Sequence, residues 1–403
     1  MTATATDDAP FFNILDPEFD FESEAVSQAR EQSWYARTPI GLLVLRYAEG
    51  SEVMRDRRFR LGGEHAMDNL GLTEGPFYDF WMEGMFAASA TDHARLRGLL
   101  NKTFAPATVE RLRPFARTIA DGLVAQIEPG QDCEFVAAFA DLMPAMVMCE
   151  MLGVPPEDYD LFHRCSDDIS LAFTRSIDGV LDRVNQAVVD LSAYSRSLLV
   201  RRRAQLGSDL ISALITAEAE GDRLSEQELD NLVVQLIWAG QDSTARQFGR
   251  ALVVFAEHPE QWTLLGERPE LAPQAVEELC RWSPQARSPF RYSMEDVELH
   301  GLEIPKGTMV MVSTVAANRD PRVFENPDRF DITAGNRQRS LTFGGGMHHC
   351  LGEAHARMEM SEGLRALTAR LGPPAITGPI TWRTPMSIIH GPEVLPLQFA
   401  ARQ

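Results

Sequence analysis

Positive charge is what this sequence has least of. Its 403 residues carry 58 Asp and Glu against 38 Lys and Arg, a formal charge of −20. Nucleic-acid binding depends on Lys and Arg clustered against phosphates, so this balance argues against a nucleic-acid partner and against loose attachment to anionic lipid. Cysteine is scarce too. Cys133, Cys149, Cys165, Cys280 and Cys350 are odd in number and include no Cys-x-x-Cys pair. That argues against a disulfide scaffold and a four-cysteine zinc site, and points to a reducing cytoplasm. Long clean apolar runs are missing. The most lipid-like stretch, 135–154, contains Asp141, Pro144 and Glu150, each costly at a bilayer centre, and reads as a buried helix of a soluble protein. The opening MTATATDDAP has no basic n-region and no apolar core, so no signal peptide or membrane anchor is expected. Gly/Ser linkers, repeats and low-complexity blocks are absent as well.

What is present is ordinary globular composition, 44% hydrophobic and 24% charged, in a chain long enough to bury a large core. Helical periodicity dominates over 92–282. Strand-like, turn-rich sequence occupies 35–47 and 287–396. The expectation is a mostly α protein with a smaller β portion (α+β), flexible over 1–15 and otherwise one continuous domain over 16–403. Ser225 and Glu228 form a capping box ahead of Leu229, Leu232, Val233, Leu236 and Ile237, and the pattern runs on until Pro259. About 30 helical residues span ~45 Å, enough to cross the molecule. The middle of this helix reads Ala239-Gly240-Gln241-Asp242-Ser243-Thr244, poor helix chemistry. A functional site and a packing glycine beside a solvated Asp are equally good explanations. Further on, a hairpin turns at His300-Gly301, and Pro305-Lys306-Gly307 suits a type II turn.

The most informative segment is Phe343-Gly344-Gly345-Gly346-Met347-His348-His349-Cys350-Leu351-Gly352. Consecutive glycines allow close backbone approach or positive φ. Cys350 opens a helical pattern, and a helix N-terminus lowers a thiol's pKa and favours a metal-binding thiolate. A Walker loop needs Gly-Lys-Ser/Thr, which is absent. A dinucleotide fingerprint from Gly344 needs glycine where His349 stands. Zinc held by His348, His349, Cys350 and His355 is conceivable, though adjacent histidines point in different directions.

Phe343, Gly346, Cys350 and Gly352 spell Phe-x-x-Gly-x-x-x-Cys-x-Gly, which resembles the haem-binding loop of the cytochrome P450 family. Glu278-x-x-Arg281 resembles the family's Glu-x-x-Arg. Arg329 in Asn326-Pro-Asp-Arg-Phe330 resembles the arginine that completes an ion-paired triad, and Ala239-Gly240-x-Asp242 resembles the oxygen-activation motif of the central helix. The resemblance covers 16–403 and implies one catalytic domain of that fold, with the long helix over a buried haem b and Cys350 as thiolate ligand to the iron. His93 and Arg97, four apart on one helix face that Thr91 or Asp92 can cap, match haem-propionate donors, as do Arg291 and His348. Taken alone, the His93/Arg97 pair is more often solvated surface.

The implied activity is that of a monooxygenase inserting one oxygen atom from O2 into a small, largely apolar organic substrate, by hydroxylation or epoxidation. Asp242 is the implied proton-delivering acid. Ser243 stands where the family most often has threonine, with Thr244 next to it. That departure keeps a peroxide-using or oxidative-coupling enzyme on the same scaffold as the alternative; a non-catalytic haem sensor has no need of an acid–hydroxyl pair. No stretch is left over for flavin or iron–sulfur domains, so electrons are expected from a ferredoxin and its reductase. Lys102, Arg111, Arg113, Arg337 and Arg339 are candidates for a docking patch, ordinary surface salt bridging being the alternative. Phe77, Trp81, Phe86 and Trp238 are the expected substrate pocket.

Overall fold

The computed structural model describes residues 8–101, 103–173, 177, 179–207, 209–219, 224–335, 338–384 and 387–402. Helix makes up 56% of it and strand 12%, the predominantly helical α+β architecture expected from periodicity. The central helix runs Glu226–Glu257, 32 residues, and the capping box is complete: Ser225 Oγ accepts from the Glu228 N–H while Glu228 accepts from the Ser225 N–H. Almost every residue from Val233 to Phe255 on this helix is buried, which explains its apolar residues on most faces. It lies between helices Leu142–Leu152, Tyr159–Ser170 and Leu181–Ala204. The lipid-like stretch is one π-helical turn, Val136–Ala140, followed by the Leu142–Leu152 helix, capped by Gly153 at φ 74°. No helix among the described residues is long and apolar enough to cross a membrane.

The β portion is mainly a five-stranded sheet in the order Tyr35–Thr38, Gly41–Val44, Met309–Val312, Phe290–Ser293, Phe59–Arg60. Two expected turns are in place. The Val297–Leu299/Leu302–Ile304 hairpin turns on His300 and Gly301, both at positive φ (49° and 79°), the signature of a two-residue hairpin turn. Gly307 at φ 81° closes the Pro305 turn, with the Thr308 N–H donating to the Pro305 carbonyl at 3.2 Å. A smaller sheet places Pro396–Ala401 between Asp132–Glu134 and Leu371–Ile376. The expectation of a flexible segment over 1–15 is corrected for its later part. Arg37 and the 10–12 backbone exchange hydrogen bonds at 2.7 and 3.0 Å, and Ile14 is fully buried.

Candidate active site

The cysteine loop is positioned by three neighbouring elements. Gly346 has φ 65°, and a Cβ there would lie 2.6 Å from the Met54 carbonyl oxygen. Only glycine lets the loop approach the Tyr47–Arg55 helix so closely. Asn318, fully buried, accepts from the Leu341 N–H at 2.8 Å and donates to Thr342 Oγ1, which in turn donates to the Cys280 carbonyl at 2.6 Å. Arg357 lies 4.6 Å from the Phe343 ring centroid. The Cys350 N–H donates to the Phe343 carbonyl at 2.9 Å, folding the loop back on itself.

Behind the loop, helix Ala272–Trp282 carries Glu278 and Arg281, both buried and joined by two hydrogen bonds of 2.7 and 2.8 Å. Arg281 also donates to the carbonyls of Asn318, Pro327 and Arg329. The expected triad is corrected here. Arg329 contributes its carbonyl, while its guanidinium is 70% exposed and faces Asp331 at 3.3 Å. The chain turns at Asn326 (φ 50°), and this presents the carbonyl inward and the side chain to water.

The loop helix begins at Glu353, with Gly352 as N-cap, one turn later than the sequence pattern suggested. The expected lowering of the Cys350 thiol pKa is therefore also corrected. Desolvation by the surrounding protein pushes it up to about 11, against the pull of the Gly352 N–H, although the residue is exposed to the cavity. A thiol in this setting stays protonated until a coordinated metal displaces the proton.

Cys350 opens onto a cavity of about 360 Å³. His93, Arg97, Arg291, His348, Ser243 and Thr244 line it too. Helix Ala90–Leu100, capped by Ser89 rather than by Thr91 or Asp92, brings His93 and Arg97 to the cavity. Strand Phe290–Ser293 brings Arg291. The His93 and His348 rings meet edge to face at 4.8 Å. Burial, helped by neighbouring arginines, lowers His93 to about 4 and His348 to about 2, so both rings are neutral near pH 7. Burial also lowers Arg97, and takes Arg291 down to about 10. Among the described residues neither guanidinium has a carboxylate partner, and the buried Arg291 Nε and His348 Nε2 have no acceptor. Buried cations without counter-charge are costly. Two arginines and two imidazole N–H donors around one cavity suit a ligand carrying two carboxylates, and the thiol supplies the soft donor that iron accepts. These residues fit haem b. They do not fit a zinc site: no three His, Cys, Asp or Glu side chains among the described residues converge on one point.

Asp242 is held on several sides. It is buried, and its carboxylate accepts from Ser170 at 2.9 Å, Arg383 at 2.6 Å and Arg246 at 3.3 Å. Arg246 reaches on to Asp141 at 2.7 Å. Burial alone would raise the Asp242 pKa, but the Arg383 and Arg246 guanidiniums outweigh it and hold the carboxyl below its usual range. It is an ionised, clamped group, and it faces a second pocket rather than the cavity that contains Cys350. Ser243 and Thr244 line the larger cavity, together with Gln235, Ala239, Gly240 and Gln247 of the same helix.

The second pocket, about 150 Å³, is lined by Trp81, Phe86 and Trp238, and by Phe173, Ile388 and Ile389. Phe77 is corrected. It is fully buried against Phe80, Trp81 and Phe173, and lines neither pocket. The docking patch is thinner than its sequence count. Arg113 is paired with Glu110 and Glu362, and Arg339 with Glu353. Arg111 donates to Thr108 at 3.3 Å. Lys102 and Arg337 lie outside the described residues.

Several site residues carry no local signal in the sequence: Asn318, Thr342, Phe173 and Arg383 join it only through distant chain segments. His355 lines the larger cavity as well, buried, with Nε2 3.0 Å from Glu359 Oε1. Burial raises the Glu359 pKa, and His355 is its only partner among the described residues. Breaking a buried pair costs about 3–5 kcal/mol, whereas replacing both partners with apolar groups is often neutral. His355→Leu is therefore expected to destabilise the haem-loaded protein by that amount in urea unfolding. His355→Leu/Glu359→Leu is expected to recover most of the loss. Equal destabilisation by single and double variants would show that the pair is not coupled.

Residues 73–368 match the family described as Cytochrome P450. Luteothin monooxygenase of Streptomyces thioluteus is 43% identical over 98% of this chain and 97% of its own. Mycinamicin IV hydroxylase/epoxidase of Micromonospora griseorubida is 38% identical over 93% of each. The solved structure of cytochrome P450 CYP109Q5 from Chondromyces apiculatus superposes with a TM-score of 0.85 at 31% identity, over 98% of this chain and 99% of that one. The chain belongs to the cytochrome P450 family. It is a haem-thiolate monooxygenase of the bacterial type, and its cofactor is haem b.

Proposed function

We propose that the protein inserts one atom of O2 into a small, largely apolar organic molecule, by hydroxylation or epoxidation, with electrons from a separate ferredoxin and its reductase in the cytoplasm. The observation that carries this reading is that Ser243 and Thr244 share a cavity with Cys350 while an apolar pocket adjoins it. Names such as monooxygenase and hydroxylase/epoxidase among the relatives support it.

Haem bound through Cys350 supplies the redox chemistry that activates O2. The protein's own groups do the rest. Arg97, Arg291, His93 and His348 would hold the propionates and so fix the cofactor's orientation. The cysteine loop, braced by Arg281 and Asn318, fixes the position of the sulfur. The apolar pocket excludes water and positions substrate. Ser243 and Thr244 hold a proton at a hydroxyl on the cavity wall, and Asp242 anchors the helix that carries them.

The test is turnover by the haem-loaded protein with NAD(P)H, ferredoxin and reductase. Omission of either protein is expected to abolish turnover, and rising salt to weaken it. Ser243→Ala and Thr244→Ala are expected to retain haem and release more hydrogen peroxide per NAD(P)H, the double variant most of all. Asp242→Asn is expected to lower stability, by less than the ~3–5 kcal/mol of a fully orphaned buried charge, because Arg383 and Arg246 lose one carboxylate but keep Glu393 and Asp141. A proton-donating Asp242 would instead lose about 10²–10⁴-fold in turnover at unchanged stability. Full activity from added peroxide alone would identify the peroxide-using alternative.

A further inference from the structure

The pocket beside the Cys350 cavity has a composition that specifies more than apolarity. Trp81, Phe86, Trp238 and Phe173 form a closed circuit of ring contacts. Trp81 stacks on Phe86 with centroids 5.3 Å apart and planes at 16°. Trp238 stacks on Phe173 at 5.0 Å and 14°. Phe86–Trp238 at 5.8 Å and Trp81–Phe173 at 5.5 Å join the two pairs. All four rings line the same pocket, and Pro289, Ile388 and Ile389 line it as well. The four come from the segment after Met67, the end of the Tyr159–Ser170 helix region and the central helix, so the aromatic wall is assembled from three separate parts of the chain.

The charged groups at this pocket are already spent. Asp242 is taken by Ser170, Arg246 and Arg383. Arg383 donates to Asp242, and its other nitrogens face Asp167 at 3.7 Å and Glu393 at 3.4 Å. Ser170 donates to Asp242 and accepts from Trp238 Nε1 at 3.0 Å. Arg291 reaches the pocket edge but belongs with the propionate donors. A ligand group entering here meets aromatic and aliphatic carbon, with Trp81 Nε1 a buried donor that has no acceptor among the described residues. The pocket shares Leu61, Phe86, Pro289, Arg291, Ile388 and Ile389 with the larger cavity, so the two adjoin. One molecule can occupy the pocket with one end and present the other near Ser243. At about 150 Å³ the pocket is smaller than the roughly 300–1,000 Å³ that whole drug-sized ligands occupy, so it takes one end of a molecule rather than all of it.

We propose that this pocket receives a planar, uncharged π-conjugated end of the substrate, an aryl or polyene group, and that the oxygenated carbon lies toward the other end. The inference rests on the monooxygenase reading above. Saturated acyl chains and saturated rings would fill the same space, but without the geometry-dependent gain of ring on ring, about 0.5–1.5 kcal/mol per aromatic pair.

The test uses the haem-loaded protein, whose CO spectrum is recorded first. Absence of the thiolate-type band would remove the P450 reading itself, whatever the ligand titrations give. With that band present, 2-butylnaphthalene and its fully saturated decalin counterpart are titrated by haem spin-state shift and by equilibrium dialysis, with dodecanoate as the acyl comparison. The naphthalene is expected to bind at least tenfold more tightly than either. Phe173→Leu and Phe86→Leu are each expected to weaken the naphthalene about 2–12-fold, the same 0.5–1.5 kcal/mol expressed as affinity, and to change the decalin less than twofold. Failure of the naphthalene to bind, equal or tighter binding of decalin or dodecanoate, or equal weakening of all ligands in the variants would overturn the proposal.

Discussion

Cys350→Ala is expected to give a folded protein that has lost the red-shifted Soret band of its reduced CO complex and all measurable oxygenation. The structure makes this specific to one of five thiols. Of the five, Cys350 is the one exposed to the cavity that Arg97 and Arg291 line. Cys280 also lines that cavity but is buried behind Thr342, which donates to its carbonyl. Cys133, Cys149 and Cys165 line neither this cavity nor its neighbour. Alanine at any of those four positions is expected to leave the band in place, at most with lower stability where a small cavity opens in the core. Retention of the band in Cys350→Ala would overturn the assignment of the ligand.

The second large effect separates two arginines that look equivalent in the sequence. Arg281→Ala removes both hydrogen bonds to Glu278 and strips donors from three carbonyls that hold the cysteine loop in place. Loss of one member of a buried ion pair costs about 3–5 kcal/mol, a large part of a typical domain's stability. The variant is expected to purify with little haem or not to fold. Arg281→Lys is expected to fail as well, because one ammonium cannot span a carboxylate and three carbonyls as a guanidinium fork does. Arg329→Ala is expected to stay within about 0.5 kcal/mol of the parent, as exposed surface changes do. Haem content and the urea midpoint measure both. Comparable haem loss in Arg329→Ala and Arg281→Ala would restore the side-chain triad that the sequence suggested.

Features set by neighbours in the chain were legible from residues alone. Ser225 and Glu228 are three apart, and His300 and Gly301 adjacent, so each carries its whole signal locally. The cysteine loop is equally compact. Side-chain direction was not legible. Arg329 sits in the expected motif, yet the positive-φ turn at Asn326 sends its guanidinium to solvent. Phe77, Phe80 and Trp81 all face inward from helix Pro76–Met82. Which of them borders the pocket depends on where Phe173 and Trp238 arrive from about 90 and 160 residues away. Asp242 shows the largest gap. The motif marks the position, but what the carboxylate does is decided by Arg383, 141 residues later, and by Arg246.

That distance has a consequence for biosynthesis. As the chain leaves the ribosome, Asp141, Asp242 and Arg246 emerge well before Arg383. Until it arrives, the middle of the longest helix carries a carboxylate short of one guanidinium, in a segment too apolar to stay comfortably in water. The strand Pro396–Ala401 lies at the centre of its sheet rather than at an edge, joining Asp132–Glu134 to Leu371–Ile376. The two outer strands have nothing to pair with until the central one has been made. Native structure around the central helix therefore closes late, by contacts of very high sequence separation, and a nascent chain halted before residue 383 exposes the aromatic and apolar surfaces that chaperones recognise.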